Sequence, residues 1–256
     1  MTDQADAHTA VMPLKGRRAI VTGGTTGIGR AIAVLLASEG AKVHICGRNA
    51  EPLHDALDRI AEVGGGAGTA IDLADPENVA RYFAEATEWL GGLDIAVINA
   101  AVAADALGET DGKALRYQIA TDFTGYLLSA HEALDRFDGK GEIKGDIVLI
   151  GSMSAHVLGG GSTIYAGIKA GIAGFAEALR REQGEKGVRV SLIEPGFTGS
   201  DFQDAADYPD DKKRKLIADA KMLRAEDIAV AAHFALTQPA RTVVQQMTVV
   251  PRVRDE

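Results

Sequence analysis

From residue 17 onward, short runs of β-branched apolar residues alternate with longer stretches in which apolar positions recur at helical spacing. The runs at 18–22, 42–46, 68–71, 94–99, 145–151, 188–193 and 243–250 predict strands. The stretches at 27–39, 51–63, 76–90, 113–137, 163–184 and 225–236 predict helices between them, with a weaker one at 210–220. Strands such as Ala-Val-Ile-Asn and Asp-Ile-Val-Leu-Ile have no polar face. A strand apolar on both sides is covered by helices on both sides. The pattern therefore predicts an α/β fold with a single doubly wound domain: a central parallel sheet of about seven strands, helices on both faces.

No internal repeat or Pro/Ser-rich linker divides the chain. We expect a flexible N-terminal tail at 1–12 and one domain at 13–256. Only 199–223 breaks the rhythm, being polar, proline-interrupted and charged. An insertion there would hang as a lid over the C-terminal ends of the strands, where doubly wound folds bind ligands.

Composition removes several function classes. With 36 acidic against 27 basic residues the net charge is −9, whereas polyanion binding needs clustered Lys and Arg, so neither nucleic acid nor an acidic membrane surface is an expected partner. The single cysteine, Cys46, cannot form an internal disulfide or a thiolate metal site; it reads as a small core residue in a reducing, cytoplasmic setting. None of the six histidines (His8, His44, His54, His131, His156, His233) forms a metal-ligand spacing, so no metal is expected. No run approaches the roughly 20 apolar residues that span a bilayer. The polar first eleven residues, with two Asp and no Lys or Arg, read as neither signal nor transit peptide.

Thirty glycines are the compositional signal that points to chemistry. The first strand runs into Thr22-Gly23-Gly24-Thr25-Thr26-Gly27-Ile28-Gly29 and then a helix. Glycines at a strand-to-helix junction permit a tight turn, let backbone approach a pyrophosphate and place that anion on the amides of a helix N-terminus. This is a dinucleotide-binding reading of the Rossmann type. The second strand ends Ile45-Cys46-Gly47-Arg48-Asn49. It offers no carboxylate for an adenosine 2′-hydroxyl, and Arg48 can pair with a 2′-phosphate, which favours NADP(H) and leaves NAD(H) open. An exposed Arg capping a strand end is the plain alternative. Of the other glycines, Gly64–Gly66 read as a helix end, Gly159–Gly161 as a turn, and Gly167, Gly171 and Gly174 as close-packing positions on one helix.

Two Tyr-x-x-x-Lys pairs occur, a spacing that puts both side chains on one helix face. Tyr208–Lys212 encloses Pro209 and two carboxylates within the irregular insertion. Tyr165–Lys169 opens an Ala- and Gly-rich helix and follows, by thirteen residues, a strand that delivers the hydroxyl of Ser152. The second pair is the candidate for chemistry.

These residues, in this order, resemble the short-chain dehydrogenase/reductase (SDR) family: the TGxxxGIG loop, Asp72, Asn99-Ala100-Ala101, Ser152, Tyr165, Lys169 and Pro195-Gly196. The likeness runs from about Leu14 through almost the whole chain. It implies an enzyme that transfers hydride reversibly between NAD(P)H and a carbonyl or secondary alcohol. Tyr165 would be the general acid or base. A free phenol titrates near about 10, so a cation must lower it; Lys169 would supply that field and hold the nicotinamide ribose, while Ser152 orients the substrate oxygen. Asp72 would contact adenine with Leu73 beside it, and Asp75 reads equally as the start of the helix at Pro76. Asn99, Ala100 and Ala101 would line the cofactor. Pro195-Gly196-Phe197-Thr198 would bring backbone groups to the carboxamide, with Ser200 where the family often has Thr. Met153 and His156 would line the substrate wall, with Phe202 and Tyr208 contributing from the lid. The resemblance also implies a homo-oligomer, tetramer or dimer.

Three departures matter. Ala101 replaces the family's closing glycine. Asp122, in Asp122-Phe123-Thr124-Gly125, stands where the family's catalytic Asn kinks its helix and holds a water leading to the lysine. An Asp there would favour the Lys169 ammonium, partly screen its field on Tyr165, and raise the catalytic pKa. The end, Met247-Thr-Val-Val-Pro251-Arg, lacks the common Asp-Gly-Gly and loosely resembles the branch acting on serine and other 3-hydroxy acids. The basic run Lys212-Lys213-Arg214-Lys215 is either an attractor of acidic substrates or a solvated helix face. The favoured function is an NADP(H)-dependent reductase or dehydrogenase of a small organic substrate. A cofactor-binding sensor with little turnover, motivated by Asp122, is the alternative, and an acyl-carrier-protein ketoreductase is a rival substrate assignment.

Overall fold

A computed structural model describes residues 11–103, 106–157, 163–199 and 209–253. The strands are β1 (Arg18–Val21), β2 (Lys42–Gly47), β3 (Gly65–Ala70), β4 (Ile95–Ile98), β5 (Gly145–Ile150), β6 (Val188–Pro195), β7 (Thr198–Gly199), β8 (Leu223–Arg224) and β9 (Gln246–Val249). The helices are α1 (Gly27–Ser38), α2 (Ala50–Ala61), α3 (Pro76–Leu90), α4 (Gly112–Ile119), α5 (Gly125–Arg136), α6 (Thr163–Gln183), α7 (Asp210–Ala218) and α8 (Ala225–Leu236).

Seven strands form one sheet in the order β3-β2-β1-β4-β5-β6-β9, every neighbouring pair parallel, while β7 and β8 pair separately. The order reverses between β1 and β4, opening a crevice at their C-terminal ends. Successive side chains point to opposite faces, and both faces are mainly apolar. Ala19, Val21, Ile95 and Val97 pack under α1 and α8, whereas Ile20 and Ala96 pack with Tyr82 and Phe83, and Ile98 with Tyr126 and Ile172. Cys46 is buried in this core, and burial pushes its thiol up to about 12, away from reactivity.

Several expectations need correction. Gly65 and Gly66 do not end a helix; they pair with Lys42 and Val43 as the start of β3. A Cβ on Gly66 or Gly68 would come within 2.8 Å of Ile60 or Leu53 of α2, whereas one on Gly65 would meet nothing. The single helix expected at 113–137 is split by a π-helical turn, Ala120–Thr124. Only Gly171 packs closely on α6, its Cβ position 2.9 Å from Phe123; Gly167 and Gly174 face open space. The last strand is shorter than 243–250. At the junction with the expected tail, the Met12 amide donates to the Thr237 carbonyl.

Of the expected lid, Ser200, Phe202 and Tyr208 lie outside the described residues, as does the Gly159–Gly161 turn. The described remainder forms α7 and β8, with Lys212, Arg214 and Lys215 exposed. No helix among the described residues is long and apolar enough to cross a membrane.

Candidate active site

A cavity of about 760 Å³ occupies the crevice at the C-terminal edge of the sheet. Its first wall is the turn between β1 and α1. Gly23 and Gly27 take positive φ, +63° and +51°. A Cβ on Gly23 would lie 2.7 Å from the Ala100 Cα, and one on Gly29 only 2.2 Å from the Gly23 carbonyl oxygen. The turn is clipped to β4 from both sides: Thr22 Oγ1 accepts from the amides of Asn99 (2.9 Å) and Ala100 (3.2 Å), and Asn99 Nδ2 donates to the carbonyls of Thr22 and Gly23 (3.1 Å each). Thr26, the residue before α1, makes no side-chain cap. The first amides of α1 therefore stay available to an anion.

Gly23, Thr25, Thr26, Gly27, Ile28, Arg48, Asn49, Asp72, Leu73, Asn99, Ala100 and Ala101 line one end of this cavity, with Thr121 beside them. Gly29 does not line it and acts instead by letting α1 approach the turn. Asp75 caps α3, its Oδ1 accepting from the Glu77 amide 3.0 Å away, with Pro76 at the first helical position. Asp72, ahead of it, lines the cavity, with its Oδ1 accepting from the Ala74 amide and its Oδ2 from Tyr117.

The other end contains Ser152, Met153, Tyr165, Lys169, Pro195, Gly196, Phe197 and Thr198. Ser152 Oγ accepts from the Ser154 amide at 3.1 Å. Tyr165 and Lys169 lie one turn apart on α6, with the ammonium 5.6 Å from the Tyr165 ring centroid. Burial pushes the Tyr165 phenol up to about 12, with Asp122 adding to the rise and a hydrogen bond with Ser152 opposing it. Burial likewise lowers Lys169 to about 8 against the pull of Asp122.

Asp122 is fully buried behind this wall and does not line the cavity. The π turn rotates it inward, and Gly125 and Gly171 let the neighbouring backbone and α6 come close. Its Oδ1 accepts from the Val102 amide at 2.8 Å, while Oδ2 has no hydrogen-bond partner among the described residues. Burial raises its carboxyl to about 6, with Lys169 opposing. Asp122 thus has no surface on the cavity, and its charge bears on Lys169 and Tyr165.

His156 is turned away from the cavity, contrary to expectation. Its Nε2 pairs with Glu194 Oε1 at 2.8 Å, and the fully buried Glu194 draws the imidazole toward β6. Two residues that no sequence motif marks also reach the site. Tyr126 accepts a hydrogen bond from Lys169 Nζ at 3.1 Å, and both groups donate to the Ile150 carbonyl. Tyr117 accepts from Arg48 and donates to Asp72. The only signal for Tyr126 is its place directly after Gly125, and nothing in the spacing marks Tyr117. Among the described residues no cluster of His, Cys, Asp and Glu is placed to hold a metal ion.

The family model described as short chain dehydrogenase matches residues 17–210. An uncharacterised oxidoreductase of Staphylococcus aureus strain USA300 is 34% identical over 240 residues, covering 93% of this chain and 98% of that protein. Carbonyl reductase family member 4 of Xenopus laevis is 30% identical over 223 residues, covering 86% and 90%. Among solved structures, a short-chain dehydrogenase from Burkholderia cenocepacia J2315 in complex with NADP superposes with a TM-score of 0.81 at 27% identity, over 94% of this chain and 98% of that one.

Proposed function

Because the chain belongs to the short-chain dehydrogenase family, and is an oxidoreductase with a nicotinamide cofactor, we propose that it is an NADP(H)-dependent carbonyl reductase or secondary-alcohol dehydrogenase of small organic substrates. One observation carries this reading. A single cavity has a glycine-turned helix N-terminus and Arg48 at one end and Ser152, Tyr165 and Lys169 at the other. The residues present fit such a cofactor: Cβ atoms at Gly23 or Gly29 would close the turn, and a cavity of this size lies within the usual range of ligand pockets, about 300–1,000 Å³. The NADP in the Burkholderia complex and the name of the Xenopus relative accord with it.

When bound, the cofactor supplies or receives hydride. The chain's residues manage the oxygen and its proton. In carbonyl reduction, negative charge grows on the substrate oxygen; Ser152 and Tyr165 orient and donate to it, and Tyr165 delivers the proton. In alcohol oxidation the Tyr165 phenolate removes that proton. Buried in a low-dielectric wall, the phenol needs the Lys169 ammonium, and Lys169 in turn would hold the nicotinamide ribose. Arg48 would take the 2′-phosphate by charge-assisted hydrogen bonds, and Asp72 and Leu73 the adenine. Met153, on the cavity lining, would contact the substrate.

The test is a panel of ketones with NADPH and of alcohols with NADP, run beside Tyr165→Phe. Loss of a general acid costs about 10²–10⁴-fold in turnover. Tyr165→Phe should lose that much while still binding NADPH. Binding without turnover by the parent across a broad panel would sink the reading in favour of a cofactor sensor.

A further inference from the structure

The cavity wall contains a contact that the proposed chemistry does not use. Arg48, at the end of β2, and Asp72, just past β3, are both wall residues, and between them lies the half-buried side chain of Tyr117 from α4, outside the lining. Arg48 Nη1 donates to Tyr117 Oη at 2.8 Å, and that hydroxyl donates to Asp72 Oδ2 at 2.8 Å. The guanidinium carbon stands 5.8 Å from the Tyr117 ring centroid. Asp72 is itself fixed, because its Oδ1 accepts from the Ala74 amide at 3.0 Å and its carbonyl from Asn78 Nδ2 at 2.9 Å.

The direction of this chain follows from the groups. A guanidinium only donates and a carboxylate only accepts, so the phenol between them must do both. Burial and the bond to Asp72 push the Tyr117 phenol up, although Arg48 opposes, and it keeps its proton. Among the described residues, Tyr117 is the sole hydrogen-bond partner of Arg48. Among those residues, the remaining N–H donors of the guanidinium are uncommitted.

We propose that Tyr117 is a positioning residue for cofactor selection, a phenolic brace that ties Arg48 to Asp72 and holds the guanidinium at the cavity rim for a 2′-phosphate. The inference rests on the reading of Arg48 as the 2′-phosphate ligand. An unbraced arginine on a strand end has many rotamers, and ordering it on binding reduces affinity; with the brace, that ordering is already present in the free protein. Tyr117→Phe keeps the ring and removes only the two hydrogen bonds.

Binding, without turnover, tests this. NADPH and NADH are titrated separately by cofactor fluorescence into the parent, Tyr117→Phe, Arg48→Ala and the double variant, each checked for folding by thermal unfolding. Tyr117→Phe should weaken NADPH roughly three- to tenfold, the size of one net hydrogen bond, and change NADH less than about twofold. In the Arg48→Ala background the same substitution should do nothing further, because the brace acts through Arg48. Unchanged NADPH affinity in Tyr117→Phe overturns the proposal. Tighter NADPH binding also overturns it and marks the contact as a latch that must open. Equal weakening of both cofactors overturns it too, assigning Tyr117 to the adenine end through Asp72. If Arg48→Ala itself leaves NADPH binding intact, the reading of Arg48 fails, and the brace fails with it.

Discussion

Lys169 Nζ lies 3.1 Å from the hydroxyl of Tyr126, and both share the carbonyl oxygen of Ile150, at 2.9 and 3.0 Å. Lys169 is 2% exposed and Tyr126 1%. A buried ammonium keeps its proton only if its hydrogen bonds are satisfied, and burial has already brought Lys169 down to about 8.

Tyr126→Phe removes one acceptor from this ammonium. A hydrogen bond to a charged group contributes about 1.5–3 kcal/mol, or roughly one to two pKa units. Lysine is charged below its pKa, so a lower pKa strips the charge from neutral solution upward. The falling limb of carbonyl reduction should move to lower pH by about one unit. The rate at pH 8 should fall several-fold and that at pH 6 should hold. A uniform loss across the profile would mean that Tyr126 serves packing alone.

Asp122→Asn addresses the same field from the other side. The Asp122 charge contributes to holding the Tyr165 phenol up at about 12. Its removal stabilises the phenolate while Lys169 stays protonated, so alcohol oxidation should rise at lower pH by roughly half a unit to one unit, and because Asp122 also supports the Lys169 ammonium, that gain should be lost above about pH 8. Asp122 is itself charged only above about 6, so the parent and variant profiles should converge below pH 6 and separate above it. Superimposable pH–rate profiles would remove Asp122 from the electrostatics of the site.

Arg48→Asp converts a phosphate ligand into a group that repels phosphate and accepts from a ribose hydroxyl. NADPH affinity should drop by roughly a hundredfold or more while NADH is held or improved. Equal losses for the two cofactors, measured by fluorescence titration, would contradict a 2′-phosphate role.

Gly29→Ala and Gly174→Ala differ only in what their Cβ meets. At Gly29 it would lie 2.2 Å from the Gly23 carbonyl oxygen and 2.5 Å from Asn99 Nδ2; at Gly174 it meets nothing within 4 Å. The first should destabilise by about 1–3 kcal/mol and weaken cofactor binding. The second should be neutral or stabilise by up to about 1 kcal/mol, since alanine favours a helix. Thermal unfolding of the two variants decides it.

The fold was legible because its signals are periodic. Both ends of helix α3 are legible, since Asp75 and Pro76 open it and Gly91, at φ +77°, closes it. Only half of strand β3 is legible, because Gly65 and Gly66 have no apolar side chain to mark them; they become strand only through their ladder with Lys42 and Val43. The π turn at Ala120–Thr124 left no trace in spacing, as one extra residue in a helical turn barely alters the apolar period. The orientation of His156 is hidden for a related reason: its partner, Glu194, is 38 residues away on β6.

By itself, the sequence determined whatever depends on neighbours along the chain: the order of strands and helices, the glycine turn into α1, and the one-turn spacing of Tyr165 and Lys169. Those follow from backbone periods that hold wherever the segment sits. Tertiary structure alone decided which groups surround that pair. Tyr126 reaches Lys169 across 43 residues, and Tyr117 reaches Arg48 across 69 and Asp72 across 45. Such contacts depend on the rotation of α4 and α5 about a π turn and on where those helices dock against the sheet, and hydrogen bonds a few ångströms long cannot be read from residue types whose separation in space is set only when the core packs.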